Sequence, residues 1–174
     1  MTADRITPAA LSAMDQAAFT ACLGDIYEHS PWVAERAWAA RPYADRAALQ
    51  QAMAGVLAAA SRAEKLALIR AHPELAGKAA IRGELTADSR REQAGAGLDQ
   101  CSAEEFAALT RLNQAYGVRF GFPFVIAVRG LGRQEIIAAL ERRLAHAPEQ
   151  EFAEALVQID RIAAFRLEAK IADP

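Results

Sequence analysis

The chain has 174 residues, of which 53% are hydrophobic and 24% are charged, and this composition is typical of a folded globular protein. Its 20 basic and 22 acidic residues give a net charge of −2, so no positive field is available to bind the phosphates of nucleic acid. No apolar run approaches the ~20 residues of a membrane span, and the first ten residues lack the layout of a signal peptide. We expect residues 1–174 to form a single domain of a cytoplasmic protein.

The first half of the chain predicts a series of helices, each introduced by a capping residue. Candidate N-caps stand at Thr7 (before Pro8), Asp15, Ser30 (before Pro31), Asp45 and Ser61. Ser61 is followed three residues later by Glu64, which is the spacing of a capping box. The helix that Ser61 introduces is expected to run until Pro73 stops it.

The second half predicts further helices around one extended segment. We expect a loop over 78–85 and helices over 86–98, from Ser102 (with Glu105 as a capping box) to Phe120, over 134–146 and over 148–172. Residues 122–128 are β-branched and aromatic, with glycines on either side. Because no other segment could pair with them as a strand, they predict a buried extended loop. The fold class is therefore all-α, with about eight helices in a single compact domain.

Of the three histidines, His72 is the candidate for chemistry. It closes a predicted helix directly before Pro73, and a helix C-terminus favours the protonated imidazole and so raises its pKa towards the working range of an acid–base catalyst. From position alone, a histidine that merely ends a helix is an equally good interpretation. The interpretation favoured for His29 is a turn or cap, and for His146 a structural residue near a helix end.

Two further patterns indicate polar chemistry. Ser89, Glu92 and Gln93 stand at i, i+3 and i+4, so a helix would present a hydroxyl, a carboxylate and an amide on one face. The alternative is a solvated surface. In the last helix, Arg166 occupies the next position of an apolar stripe, where it must either be paired or hold an anion. A structural salt bridge and a ligand site are both open.

Several kinds of site have no signal in the sequence. Three scattered histidines without an HExxH spacing do not predict zinc, and neither a phosphate-binding loop nor a Gly-x-Ser-x-Gly elbow is present. The two cysteines, Cys22 and Cys101, are expected to be reduced thiols. We therefore expect no metal.

Several segments, taken together, resemble one family, the 2-oxo-4-hydroxy-4-carboxy-5-ureidoimidazoline (OHCU) decarboxylases of urate breakdown. The matching segments cover nearly the whole chain in the order of the family. They are Glu28-His29-Ser30-Pro31-Trp32, Ala71-His72-Pro73-Glu74-Leu75-Ala76, Ser89-Arg90-Arg91-Glu92-Gln93, Ala96-Gly97-Leu98, Asn113-x-x-Tyr116, Phe120-Gly121-Phe122-Pro123-Phe124-Val125-Ile126 and Ile162-Ala163-Ala164-Phe165-Arg166-Leu167.

The resemblance implies an all-α, cofactor-free homodimer that converts OHCU to (S)-allantoin. It implies that His72 is the catalytic acid–base residue and Glu92 its carboxylate partner. The residues implied to line the substrate pocket are Pro73, Ser89, Gln93, Arg166 and the backbone of Phe124, Val125, Ile126, Ala127 and Val128. Since the chain ends in Ala172-Asp173-Pro174 rather than in a peroxisomal signal, a bacterial cytoplasm is the expected location.

Two alternatives of other classes remain at this point. One is an all-α ligand-binding or adaptor domain that has the fold without turnover, and the presence of both His72 and Glu92 argues against it. The other is a related hydrolase that acts on another ureide.

Overall fold

The computed structural model describes residues 5–173. The chain divides into two compact units, of which one comprises the residues up to Ala71 together with those from Asp160 onward. The other unit is His72–Ile159. The prediction of one domain over residues 1–174 stays a prediction. Residues 1–4 and 174, on which the expectations about the chain ends partly rest, lie outside the described residues.

In its described part, the first unit contains five helices and the second part of the last helix. These are α1 (Pro8–Ser12), α2 (Gln16–Leu23), α3 (Trp32–Ala37), α4 (Arg46–Ala59), α5 (Arg62–Ala71) and, from Asp160, α10 (Pro148–Lys170). A short 3₁₀ turn, Trp38–Ala40, follows α3. Fully buried side chains of α2 and α4 lie in the core of this unit, among them Phe19, Leu23, Leu49, Met53 and Leu57.

Four of the five predicted N-caps of this unit are confirmed. Thr7, Asp15 and Asp45 each accept a hydrogen bond from the backbone N–H three residues later, and Ser61 forms the expected capping box with Glu64. The cap at Ser30 is wrong. The Ser30 hydroxyl instead donates to the carbonyl of Glu28 at 2.9 Å, and α3 begins after Pro31 without a side-chain cap. Serine makes such local bonds readily, and this bond competes with its capping function.

The second unit contains four helices and the first part of α10. These are α6 (Lys78–Ile81), α7 (Ala87–Gly95), α8 (Ala103–Phe120) and α9 (Arg133–Arg143), with a 3₁₀ turn at Leu98–Gln100. The predicted loop over 78–85 thus contains one helical turn. The helix predicted to reach residue 98 ends at Gly95, because Gly97 adopts a left-handed conformation (φ 74°) that stops it. The capping box of Ser102 and Glu105 is confirmed.

The buried extended segment is confirmed. Residues 123–128 form neither helix nor strand. The buried side chains of the predicted segment are Phe122, Phe124, Val125, Ala127 and Val128. Within residues 5–173 the β pairing is limited to one isolated bridge between Ile6 and Ile171, so the all-α class is also confirmed. Ten α-helices are present in this range rather than about eight, and the one-turn helix α6 accounts for part of the difference.

Candidate active site

His72 lies immediately after the last residue of α5 and is 7% exposed. The following residue, Pro73, disfavours helical backbone at the preceding position, and the helix accordingly ends at Ala71. The position predicted from the sequence is therefore confirmed. A buried imidazole at a chain turn has little contact with bulk water, which suits a group that must exchange protons with a bound molecule rather than with solvent.

The polar face of α7 is largely buried. Ser89 and Gln93 are each 5% exposed, whereas Glu92 between them is half-buried. Thr86 caps the helix by accepting from the backbone N–H of Ser89 at 3.2 Å, which fixes the first turn that carries Ser89. The alternative of a solvated surface is therefore wrong for Ser89 and Gln93.

A hydrogen bond joins this face of α7 to the loop that follows His72. The Oε1 atom of Gln93 accepts it from the backbone N–H of Ala76 at 3.0 Å. From α8, the Nδ2 group of Asn113 donates to the neighbouring Leu75 carbonyl at 3.0 Å. The loop carrying His72 and Pro73 is thus tied to two helices of its own unit.

The extended segment is held through its main chain by two other helices of the same unit. Nη1 of Arg143, in α9, donates to the Val125 carbonyl at 2.7 Å. Oε1 of Gln158, in α10, accepts from the Ala127 N–H at 3.0 Å. Because buried backbone groups need partners, these two side chains fix a segment that has no strand to pair with.

Arg143 belongs to a buried polar network. Its Nε donates to Glu151 Oε1 at 2.7 Å, and the Tyr116 hydroxyl donates to the same carboxylate oxygen. The other oxygen, Oε2, lies 2.9 Å from His146 Nδ1. Glu151 is fully buried, and the Arg143 guanidinium also lies over the ring of Phe124, 4.5 Å from its centroid. The network therefore joins α8, α9 and α10 around the extended segment.

Tyr116 stays protonated in this network. Burial, together with the hydrogen bond to Glu151, raises the pKa of the Tyr116 hydroxyl well above its usual range. The phenol therefore acts as a donor to the carboxylate. His146 lies beyond the end of α9, where its Nδ1 contacts the buried Glu151 carboxylate, and this contact supports the structural interpretation.

Arg166 lies on α10 in the first unit, whereas His72, the α7 face and the extended segment belong to the second unit. It is 6% exposed, and its Nη1 lies 2.8 Å from Glu28 Oε2. The same nitrogen donates to the Asp25 carbonyl at 3.2 Å. Of the two alternatives that the sequence left open, a salt bridge is therefore present, and a role towards a ligand stays a prediction.

The buried network was not predicted from the sequence, although a signal was present. Arg143 continues an apolar stripe of α9 formed by Ile136, Ala139 and Leu140, which is the same pattern that identified Arg166. Asn113 similarly interrupts the buried stripe of α8. A charged or amide residue on an apolar stripe therefore indicates a buried polar contact in α8 and α9 as well as in α10.

Among residues 5–173, no group of three or more His, Cys, Asp or Glu side chains could hold a metal ion. In the same part of the chain, none of the helices combines the length and the apolar character that crossing a membrane would require.

The helices of residues 5–173 place the chain in the all-α class. Comparison with known proteins defines the class further: the model of the OHCU decarboxylase family matches residues 12–168. The chain belongs to this family, whose members are carboxy-lyases.

Relatives and solved structures agree with that family. The OHCU decarboxylase of Halalkalicoccus jeotgali is 42% identical over 164 residues, which are 94% of this chain and 91% of the relative. That of Haloferax volcanii is 45% identical over 154 residues, 88% of this chain and 89% of the relative. A crystal structure of (S)-allantoin synthase superposes with a TM-score of 0.75 at 33% identity. That match covers 95% of this chain and 54% of the other, so the chain spans about half of that protein.

Proposed function

We propose that the protein converts OHCU to (S)-allantoin with release of carbon dioxide, a step of urate breakdown. The family match over residues 12–168 carries this proposal, and two named decarboxylases that align over most of both chains support it. The site supports it as well, since His72 is buried where a helix ends and a face of buried polar groups lies on α7 of the same unit.

The reaction needs a group that accepts the electron pair of the broken bond, and it needs a proton that is delivered to one face of the ring carbon. When the bond between the ring carbon and the carboxylate breaks, its electron pair forms a carbon–carbon double bond. The electrons of the adjacent C=N bond move onto nitrogen, which takes up a proton from water, so that a neutral enol and carbon dioxide result. The resulting enol loses its hydroxyl proton and gains a proton at carbon, on one face, which gives (S)-allantoin. Because the substrate supplies its own electron acceptor, we propose that no metal or cofactor takes part.

The roles we assign follow from this proton balance. His72 moves the proton between the hydroxyl and carbon, and Glu92 stabilises the imidazolium that forms. Ser89, Gln93 and the backbone of 124–128 bind the ring and ureido groups through directional hydrogen bonds, and Pro73 packs beside them. Arg166 binds an anionic or carbonyl oxygen of the substrate.

The test of the proposed function is to identify the product made from freshly generated OHCU. We expect rapid release of carbon dioxide and an excess of (S)-allantoin by chiral chromatography, unchanged after exhaustive treatment with a chelator. The substrate also decomposes by itself to racemic allantoin, so the enantiomer must be followed as well as the rate. A racemic product at the spontaneous rate, or a ureide that retains the carboxylate, would contradict the proposal.

Replacing Arg166 with lysine tests its role towards the substrate. Lysine keeps the charge, but it lacks the planar fork that can bind Glu28 and a ligand oxygen together. We expect a raised KM with a smaller change in kcat. Arg161→Lys, at an exposed position of the same helix, is the matched control. An unchanged KM with a markedly lower melting temperature would assign Arg166 a structural role only.

We also propose a cytoplasmic homodimer, by resemblance to the family. Light scattering at micromolar concentration should give twice the monomer mass of 18.7 kDa, and a monomer mass would contradict this assembly.

A further inference from the structure

A single peptide bond, in the loop that follows His72, is held on both sides by side-chain amides. Its carbonyl, from Leu75, accepts from Asn113 Nδ2 at 3.0 Å, and its N–H, from Ala76, donates to Gln93 Oε1 at 3.0 Å. All four residues are at least nine-tenths buried. We call these four residues the amide clamp. It fixes one peptide unit between α7 and α8.

The clamp supports a backbone conformation that is disfavoured for a residue with a Cβ. Ala76 has a φ of 51°, in the left-handed region where a residue with a Cβ is disfavoured. Such a conformation persists only where the surroundings hold it. The turn has one backbone hydrogen bond of its own, from the Gly77 N–H to the Glu74 carbonyl at 3.3 Å, and the two amide hydrogen bonds to the peptide before the Ala76 Cα add to that hold. The course of the loop back to Pro73 and His72 therefore depends in part on Asn113 and Gln93.

The clamp also fixes which way the Gln93 carboxamide points. A backbone N–H can only donate, so the atom of Gln93 that contacts Ala76 must be the oxygen. By the same logic, the atom of Asn113 that contacts the Leu75 carbonyl must be the nitrogen. The orientation of the Gln93 amide is therefore set by the peptide, and its two Nε2 hydrogens remain as donors for another partner.

We propose that Asn113 is a positioning residue for the decarboxylation, acting through the loop that carries His72 and through the orientation of Gln93. This inference rests on the function proposed above. Asn113 holds the Leu75 carbonyl, this hold keeps Ala76 in its left-handed conformation, and the peptide N–H then keeps the Gln93 oxygen turned towards itself. Gln93 thereby presents N–H donors to an acceptor oxygen of the substrate, while His72 stays in position to transfer a proton to the reacting carbon.

The test removes the Asn113 donor in two ways. Asn113→Asp keeps the size but sets an oxygen against the Leu75 carbonyl, and Asn113→Ala removes the side chain. For a displaced catalytic loop, we expect kcat to fall roughly 10- to 100-fold. Gln114→Ala, at the exposed neighbouring position of α8, should keep the parent kcat. Circular dichroism and the melting temperature show that the variants compared are folded.

Two readouts separate positioning from plain loss of stability. In the His72→Asn background, Asn113→Ala should lower the residual rate less than about threefold. The reason is that the imidazole which Asn113 helps to position is already absent from that variant. Amide hydrogen exchange at Ala76, measured by NMR, should be roughly tenfold faster or more in Asn113→Ala than in the parent or in Gln114→Ala.

The possible results distinguish this inference from the proposed function. Equal rate losses in the parent and in the His72→Asn background, an unchanged kcat, or an unchanged exchange rate at Ala76 would each overturn the positioning role of Asn113 while leaving the decarboxylation intact. A parent protein without turnover of OHCU contradicts the proposed function itself, and the positioning role with it.

Discussion

His72→Asn should keep the fold and lower kcat by roughly 10²- to 10⁴-fold, the usual contribution of a general acid–base group. Asparagine is close in size to the imidazole but does not take up and release a proton near neutral pH. Glu92→Gln should also slow turnover, because a neutral amide no longer stabilises an imidazolium. Stopped-flow measurement of OHCU decay with chiral analysis of the product checks both variants.

The double variant gives the sharper result. If His72 and Glu92 act as a unit, its loss of kcat should be smaller than the product of the two single losses, and the allantoin should drift towards racemic in all three variants. His29→Asn is the matched control, because His29 is exposed and lies in a left-handed turn that asparagine tolerates. Formation of (S)-allantoin by His72→Asn at close to the parent rate would remove His72 from the catalytic site.

Glu151→Gln should lower the free energy of unfolding by about 3–5 kcal/mol, because it leaves the buried Arg143 without a compensating charge. In a chain of this length, the loss corresponds to a fall in melting temperature of roughly 6–20 °C. Urea or thermal unfolding followed by circular dichroism measures it. Asp173→Asn is the control. It also breaks an arginine–carboxylate pair, to Arg46, but that aspartate is 57% exposed, so the change should cost about 1 kcal/mol or less.

Removing both charges together should recover part of that stability, but not all of it, because the buried Val125 carbonyl also loses its donor. Arg143→Met with Glu151→Leu leaves no unpaired ion, and apolar replacements of buried ion pairs are often neutral. Adding Tyr116→Phe removes the hydroxyl that would otherwise lose its acceptor. If Glu151→Gln unfolds within about 1 kcal/mol of the parent, the network contributes no more than a surface pair does.

Local signals predicted most of the helices, because their causes lie within a few residues of the chain. A cap or a capping box involves atoms three residues apart, so Asp15, Asp45, Ser61 and Ser102 could be identified without any tertiary structure. The failure at Ser30 has the same local origin, since its hydroxyl had two nearby partners and the sequence does not rank them. The extended segment was predictable because it combines strand-forming residues with no second strand.

The partners of the polar residues could not be predicted from the sequence. Periodicity places Arg166 on a buried stripe, but it does not reveal that Glu28, from a distant part of the chain, lies beside it. Gln93 was expected to point towards a substrate, whereas one of its two polar atoms binds the Ala76 backbone. Such pairings depend on the packing of distant segments. Many residue types can form a hydrogen bond with a given buried group, so the spacing of residues in the sequence does not identify the partner.

The extended segment is held by its main chain, and this has a consequence for how the family can diverge. Arg143 binds the carbonyl of Val125, a group that every amino acid provides. Gln158 binds the N–H of Ala127, which every amino acid except proline provides. Side chains along the segment can therefore be substituted one at a time during evolution, provided that each replacement still packs. The residues that hold the segment cannot be substituted singly, because the loss of Glu151 alone would give a poorly folded protein. Substitutions at Tyr116, Arg143 and Glu151 should therefore occur as a set in descendant sequences, while the segment they support changes gradually.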